Sequence, residues 1–290
     1  MNLFFENIAE RFFKLSAFFS IGITLLIFIF MLILGLPLIK EGLFHFLIKD
    51  WDPFKGVYGI GPMIIGSLAV SLLALIFALP LSLGCAALIT VVRFKKTANF
   101  LAKAVQVSAG IPPVIYGFTA IFTLVPFLRG FFEVGSGMSI LSASIIFALL
   151  LSPTMILIFV DAFRSVRSSY LLAIDSMGCS PVQKLLYVII PCSKNGIIVG
   201  VLLGMGRAIG DTLIALMIAG NAAQIPSSLL DSVRTLTAHI ALVKAADVDS
   251  IQFKSIFLSG LVLYTFTTII VSIVHLKFKR KIINRDAVYE

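Results

Sequence analysis

The chain has 290 residues, of which 59% are hydrophobic and only 13% charged, and its mean hydropathy is +1.08. Soluble domains carry about 25% charged residues, so this composition excludes an ordinary globular domain and implies an all-α integral membrane protein with several spans. The net charge of +9 is dispersed in short segments between apolar runs. There it acts as a topology signal, and no basic helix with interleaved aromatics offers a nucleic-acid surface.

Residues 1–14 alternate Phe, Leu and Ile with Glu6, Glu10, Arg11 and Lys14, a pattern for an interfacial helix leading into the bilayer. Residues 16–39 are apolar, lack a small-residue cleavage site and are too long for a signal core, so they predict a retained first span. A polar segment, 40–61, carries Trp51 and Tyr58 as aromatics of the headgroup belt. Residues 62–92 predict the second span, with Pro80 inside it, and a basic turn follows through Arg93, Lys95 and Lys96.

The third span is predicted over 103–128, broken near Gly110, Pro112 and Pro113. Such a break is tolerated at membrane depth only against protein or a cavity. Residues 140–163 predict the fourth span, kinked at Pro153, and 255–276 the sixth. The segment 222–254 between the fifth and sixth is expected to be mostly polar.

The fifth span, 196–221, is apolar except for Arg207 and Asp211 near its middle. On a continuous helix Gly196, Gly200, Gly204, Arg207 and Asp211 share an arc of about 80°. An isolated Arg or Asp at a helix centre costs about 2.5–3.5 kcal/mol, so the two charges need a partner or a purpose. Either they line a permeation path or they form a buried structural pair. The glycines allow close approach of another helix. Asn221 returns to the charged face and bonds either substrate or a neighbouring helix.

Six spans place both termini on one side, with fifteen Lys and Arg there against seven on the other. The bias predicts cytoplasmic termini and a cytoplasmic insert over 164–194. In that insert Gly178 stops one short helix. Ser180 and Pro181 start a second through Ile189 as N-cap and first-turn proline. The pair forms either a docking knob or a connector that binds nothing.

Cys85, Cys179 and Cys192 are scattered, form no disulfide framework and are expected to pack in the core. His45, His239 and His275 share no ligand spacing, so no metal or other cofactor is expected.

Ala173, Gly178 five residues on and Pro191 thirteen further resemble the EAA coupling loop of ABC-importer permeases, with Leu172 at the family's Glu position and Ile174 at its second Ala. The run GRAIGDT from Gly206 to Thr212, closing on Ala219, Gly220 and Asn221, resembles a segment of the phosphate-specific permeases, with Asp211 where they carry Glu. Pro113 to Gly117, Trp51 with Pro53, Tyr58 to Pro62, and Thr235 to Ala238 are also similar to that family, and the Trp51–Pro53 and Tyr58-Gly59-Ile60 elements favour its PstC-type over its PstA-type subunit.

The resemblance implies a type I ABC importer permease fold of six transmembrane helices with a cytoplasmic coupling helix, in the bacterial cytoplasmic membrane. It implies a heterodimer with a PstA-type second permease subunit, an ATP-binding subunit dimer of PstB type and an extracytoplasmic phosphate-binding protein of PstS type. ATP would be hydrolysed elsewhere, since no GxxxxGK[ST] loop exists here.

The expected divisions are 1–61 (interfacial helix, first span and loop), 62–278 (permease core, coupling loop 165–191) and 279–290 (basic tail). Arg207, Asp211 and Asn221 are expected along the substrate path, and Ala173, Gly178 and Pro191 at the ATPase. Asp211 is expected to neutralise Arg207 until phosphate displaces it. Two rivals fit less well. A stand-alone secondary transporter leaves the insert unexplained and calls for repeats that the halves lack. A membrane-embedded enzyme calls for clustered acid–base groups, whereas Asp161, Asp175 and Asp211 are dispersed. Within importers, molybdate or sulfate is the alternative cargo.

Overall fold

The computed structural model describes the backbone of residues 2–40, 43–91, 95–244, 247 and 250–286, and the side chains of 9–39, 46–91, 96–244, 247 and 250–274. Arg93 of the basic turn, the last residues of the tail (287–290) and the side chains of His45 and His275 lie outside the described residues.

Six stretches among the described residues are long and apolar enough to cross a bilayer: Ala9–Ile39, Gly61–Val91, Pro113–Phe132, Ile140–Arg164, Pro181–Gly210 and Ile251–Val274. All are helical, as they must be where no water is present to satisfy backbone groups. The first belongs to α1 (Asn2–Lys40), which runs without interruption from the N-terminal segment. The separate interfacial helix expected over 1–14 is therefore absent as an element, because no Gly or Pro divides residues 2–21.

The centre is α3 (Gly61–Val91) against a later helix, which we number α7 (Ile140–Arg164). Phe147, Leu151, Met155 and Phe159 of α7 are fully buried. The Ser144 hydroxyl donates to the Val70 carbonyl of α3 at 3.1 Å, so the polar group is satisfied within the core. The helix α10 (Ile190–Gly210) lies on the same α7. A Cβ added at Gly196 would meet Ala162, one at Gly200 would sit 2.6 Å from the Phe159 ring, and one at Gly204 3.0 Å from Met155 Sδ. The glycine face thus does what its spacing suggested.

Between α3 and α7 the third span departs from expectation. Residues 95–109 form their own helix, α4 (Lys95–Ala109), and the chain breaks before α5 (Pro113–Phe122) and α6 (Leu124–Phe132). The span therefore starts at Pro113 rather than near 103. Two consecutive prolines remove two N–H donors and push Pro112 to an extended conformation, φ −60° and ψ 140°. The Tyr116 hydroxyl bridges the break by donating to the Ser108 carbonyl at 3.1 Å.

At the end of the bundle where α3 begins, Trp51–Asp52 and Val57–Tyr58 pair as a hairpin over a 3₁₀ turn, Pro53–Lys55. Residues 222–254, expected to be mostly polar, contain a helix whose first half is buried, which counts as α12 (Leu236–Val243). Its His239 stands edge-on to Trp51, with ring centroids 4.4 Å apart, and its Nε2 lies 3.1 Å from Ser255 Oγ. Trp51 therefore packs into protein rather than serving only as a headgroup anchor.

Two outcomes follow. Gly200→Val should overpack the α10–α7 contact by about 1–3 kcal/mol and lower the unfolding temperature in detergent, while Gly84→Ala, inside α3 and meeting nothing within 4 Å, should hold it or raise it slightly. Burial, with the Arg234 charge second, lowers the His239 pKa from 6.5 to about 3. The neutral ring therefore contributes its stability above pH 6.5, and that contribution is lost as the pH falls from 6.5 toward about 3. His239→Gln should flatten this acid limb in thermal scans at stepped pH.

Candidate translocation site and coupling knob

The fifth span does not continue as one helix to Asn221. It stops at Gly210, Asp211 is extended with φ −76° and ψ 132°, and a short α11 (Leu213–Ile218) follows. Gly220 and Asn221 then both adopt positive φ, 85° and 58°. The break is internally satisfied: Asp211 Oδ1 accepts from the Ile214 N–H at 3.0 Å, and the Thr237 hydroxyl of α12 donates to the Asp211 carbonyl at 2.8 Å. An Asp following a Gly can start a new helix as a cap, and this local option ends α10.

This geometry corrects two expectations. Asp211 is not one helical turn above Arg207, and no ion pair joins them among the described residues. Arg207 instead donates from Nη1 to Thr154 Oγ1 of α7 at 2.7 Å. Asn221 does not return to the charged face either. Its Nδ2 donates to the Leu216 carbonyl at 2.7 Å, closing α11, and its own carbonyl accepts from Arg234 Nε at 3.0 Å. Its Oδ1 is buried with no hydrogen-bond partner.

Arg207 and Asp211 nevertheless remain within reach of each other's charge, and the Arg207 field also reaches the Tyr116 hydroxyl of α5. Gly117 of α5 packs on Met217 of α11, where a Cβ would lie 2.8 Å from Sδ. Three helices and the break after α10 thus bring Tyr116, Thr154, Arg207 and Asp211 to one region. Thr154 was missed in sequence, where a hydroxyl beside Pro153 in a mostly apolar run carries no spacing signal.

The knob follows its sequence cues closely. The helix α8 (Ser168–Ser176) closes on Gly178, φ 72°, whose N–H bonds to the Asp175 carbonyl while that of Cys179 bonds to Ile174. Ser180 and Gln183 cap each other's backbone in a reciprocal box, and Pro181 opens α9 (Pro181–Lys184). Lys184 Nζ grips both Asp175 oxygens, at 2.7 and 2.9 Å, and ties the two limbs together.

The second limb does not end at Ile189 as expected. It widens into a π-helical stretch, Leu185–Ile189, and runs on into α10 as one rod. Pro191 explains the widening, since its ring excludes the Tyr187 carbonyl from ordinary bonding; the Ile190 N–H bonds to Leu185 instead. Ala173, Gly178 and Pro191 are all exposed. Around them Leu172, Met177, Val182 and Tyr187 present apolar surface to the outside. Cys192 is exposed too, so the core role expected of it fails, while Cys85 and Cys179 are half-buried.

Residues 78–284 match the family described as binding-protein-dependent transport system inner membrane component. The chain belongs to this family. It is 30% identical to a Bacillus subtilis protein named "Probable ABC transporter permease protein YqgH", across 80% of this chain and 77% of that one. It is also 30% identical to the phosphate transport system permease protein PstC of Mesorhizobium japonicum, across 79% and 76%.

Among solved structures, a bacterial ABC transporter that imports the polysaccharide alginate superposes with a TM-score of 0.59 at 16% identity, covering 93% of this chain and 96% of that one. An inward-facing MetNI methionine transporter gives 0.59 at 15%, covering 78% and 98%. At such identities the likeness shows the fold alone, that of a type I importer permease. The chain is thus a multi-pass membrane component of an ABC importer, a role that implies an ATPase and a substrate-binding protein as partners.

If Asp211 acts as a cap, Asp211→Ala should cost about 1 kcal/mol of stability, while Asp211→Asn, which keeps an acceptor, should cost little. Unfolding of the two variants in detergent separates this role from that of an ion-pair partner, which would penalise both.

Proposed function

We propose that this chain is the PstC-type permease subunit of an ATP-driven importer and forms part of the path for inorganic phosphate. The carrying observation is a guanidinium at membrane depth whose hydrogen bond goes to a neutral hydroxyl, with no carboxylate pair among the described residues. A planar fork of donors suits a tetrahedral oxyanion, and the names of several relatives agree. Asp211, fixed as a cap nearby, keeps such an anion from settling by repulsion. Asn221 acts at the outer end of the path through its neighbours, closing α11 at Leu216 and holding Arg234.

In this reading a PstA-type subunit completes the path, a PstB-type dimer hydrolyses ATP and a PstS-type protein delivers phosphate. The chain itself carries no catalytic step. Its termini face the cytoplasm, as the Lys and Arg bias supports. The permease core is 62–278, preceded by 1–61 and followed by the basic tail, 279–290. Ala173, Gly178 and Pro191 mark the ATPase contact, a role supported by the exposed apolar side chains around them.

Arg207→Gln should abolish uptake of radiolabelled phosphate by a deletion strain while assembly and ATPase activity persist; uptake near wild type would refute the path. Labelled molybdate and sulfate in the same assay separate the other oxyanions. At Gly178 a Cβ meets no neighbour but the left-handed backbone resists one, so Gly178→Arg combines local strain with bulk at the dock. Hydrolysis stimulated by the binding protein should then separate from transport, and retention of both would exclude the docking role.

A further inference from the structure

Hydroxyl groups in these spans mostly satisfy themselves on their own helix. Thr24 donates to Ser20, Thr90 to Ala86, Ser152 to Ala148 and Thr267 to Leu263. Thr154 does not. Its Oγ1 has one hydrogen bond among the described residues, accepted from Arg207 Nη1 of another helix. A threonine hydroxyl carries one donor and two acceptor lone pairs, so this contact uses an acceptor and leaves the O–H beside the guanidinium without an acceptor among the described residues.

The position is also stiff. Pro153 immediately before it has a fixed φ, and Ser152 is held from both sides. Its hydroxyl bonds within α7, and its carbonyl accepts from the Ser82 hydroxyl of α3 at 3.4 Å. On the other side Gly204, one turn before Arg207, lets α10 approach Met155, the neighbour of Thr154. The hydroxyl therefore meets the guanidinium from a fixed point.

We infer that Thr154 is a positioning residue for anion transfer: it holds the Arg207 fork in one orientation and sets a second donor, its own O–H, next to it. The ligand class is a tetrahedral oxyanion, with enough acceptor oxygens to engage donors from two helices at once. The inference rests on the path reading of Arg207. It adds that selectivity is shared across the α7–α10 contact rather than carried by the cation alone.

The test uses the complete complex of both permeases, ATPase and phosphate-binding protein in proteoliposomes, with inorganic phosphate transported per ATP hydrolysed as the readout. Thr154→Val keeps the shape and removes the hydroxyl; the ratio should fall about tenfold, the scale of a hydrogen bond to a charged group. Thr154→Ser should restore it to within about twofold, since acceptor and donor both return. An unchanged ratio in Thr154→Val, including one in which ATPase and transport fall together, overturns the role of Thr154 and leaves Arg207 untouched. Normal uptake by Arg207→Gln would instead remove the path reading itself.

Discussion

The close approach of α10 to α7 is the contact on which the rest depends. Glycines at 196, 200 and 204 remove the side chains that would hold the two helices apart, and Ala162, Phe159 and Met155 fill the space. Dispersion and close packing, rather than water exclusion, drive helix association in lipid, so backbone proximity itself is the stabilising term. The same proximity brings a hydroxyl of α7 to the guanidinium of α10. A cation that would be costly in hydrocarbon thus has a polar neighbour without a neutralising carboxylate.

The chain deals with its remaining polar groups locally. Where the backbone breaks before α5, the Tyr116 hydroxyl spans the gap; where it breaks at Asp211, a carboxylate caps one side and α12 supplies Thr237 to the other. These repairs make α11 and α12 integral to the region around Arg207. The loop between the last two spans is therefore mechanically joined to the charged segment, through Thr237 at Asp211 and through Val233 and Arg234 at Ala219 and Asn221.

Legibility in the sequence followed the range of the interactions. Spans, caps and the glycine face come from local periodicity, and Gly178, Ser180 and Pro181 adopt the conformations their residue types favour. What failed was continuity. A helical wheel through Asp211 and Asn221 presumes an unbroken helix, and a Gly followed by a capping Asp offered the chain another choice. The Asp175–Lys184 pair and the Thr154 contact join residues whose proximity depends on tertiary geometry, so spacing held no trace of them. Trp51 has an anchor's composition, yet its surroundings are decided by α12.

The widened turn before Pro191 has a geometric consequence for any motion entering at the knob. One residue more in a helical turn advances the phase of everything beyond it by about 100° relative to a uniform α-helix. The exposed face of α9 and the glycine face of α10 are thus set at an angle that helical periodicity alone would misassign. A rotation of the knob about the rod axis would turn Arg207 by the same angle, on a face about 100° from the one that uniform periodicity assigns it. The offset behaves as a fixed crank between two faces of a single helix.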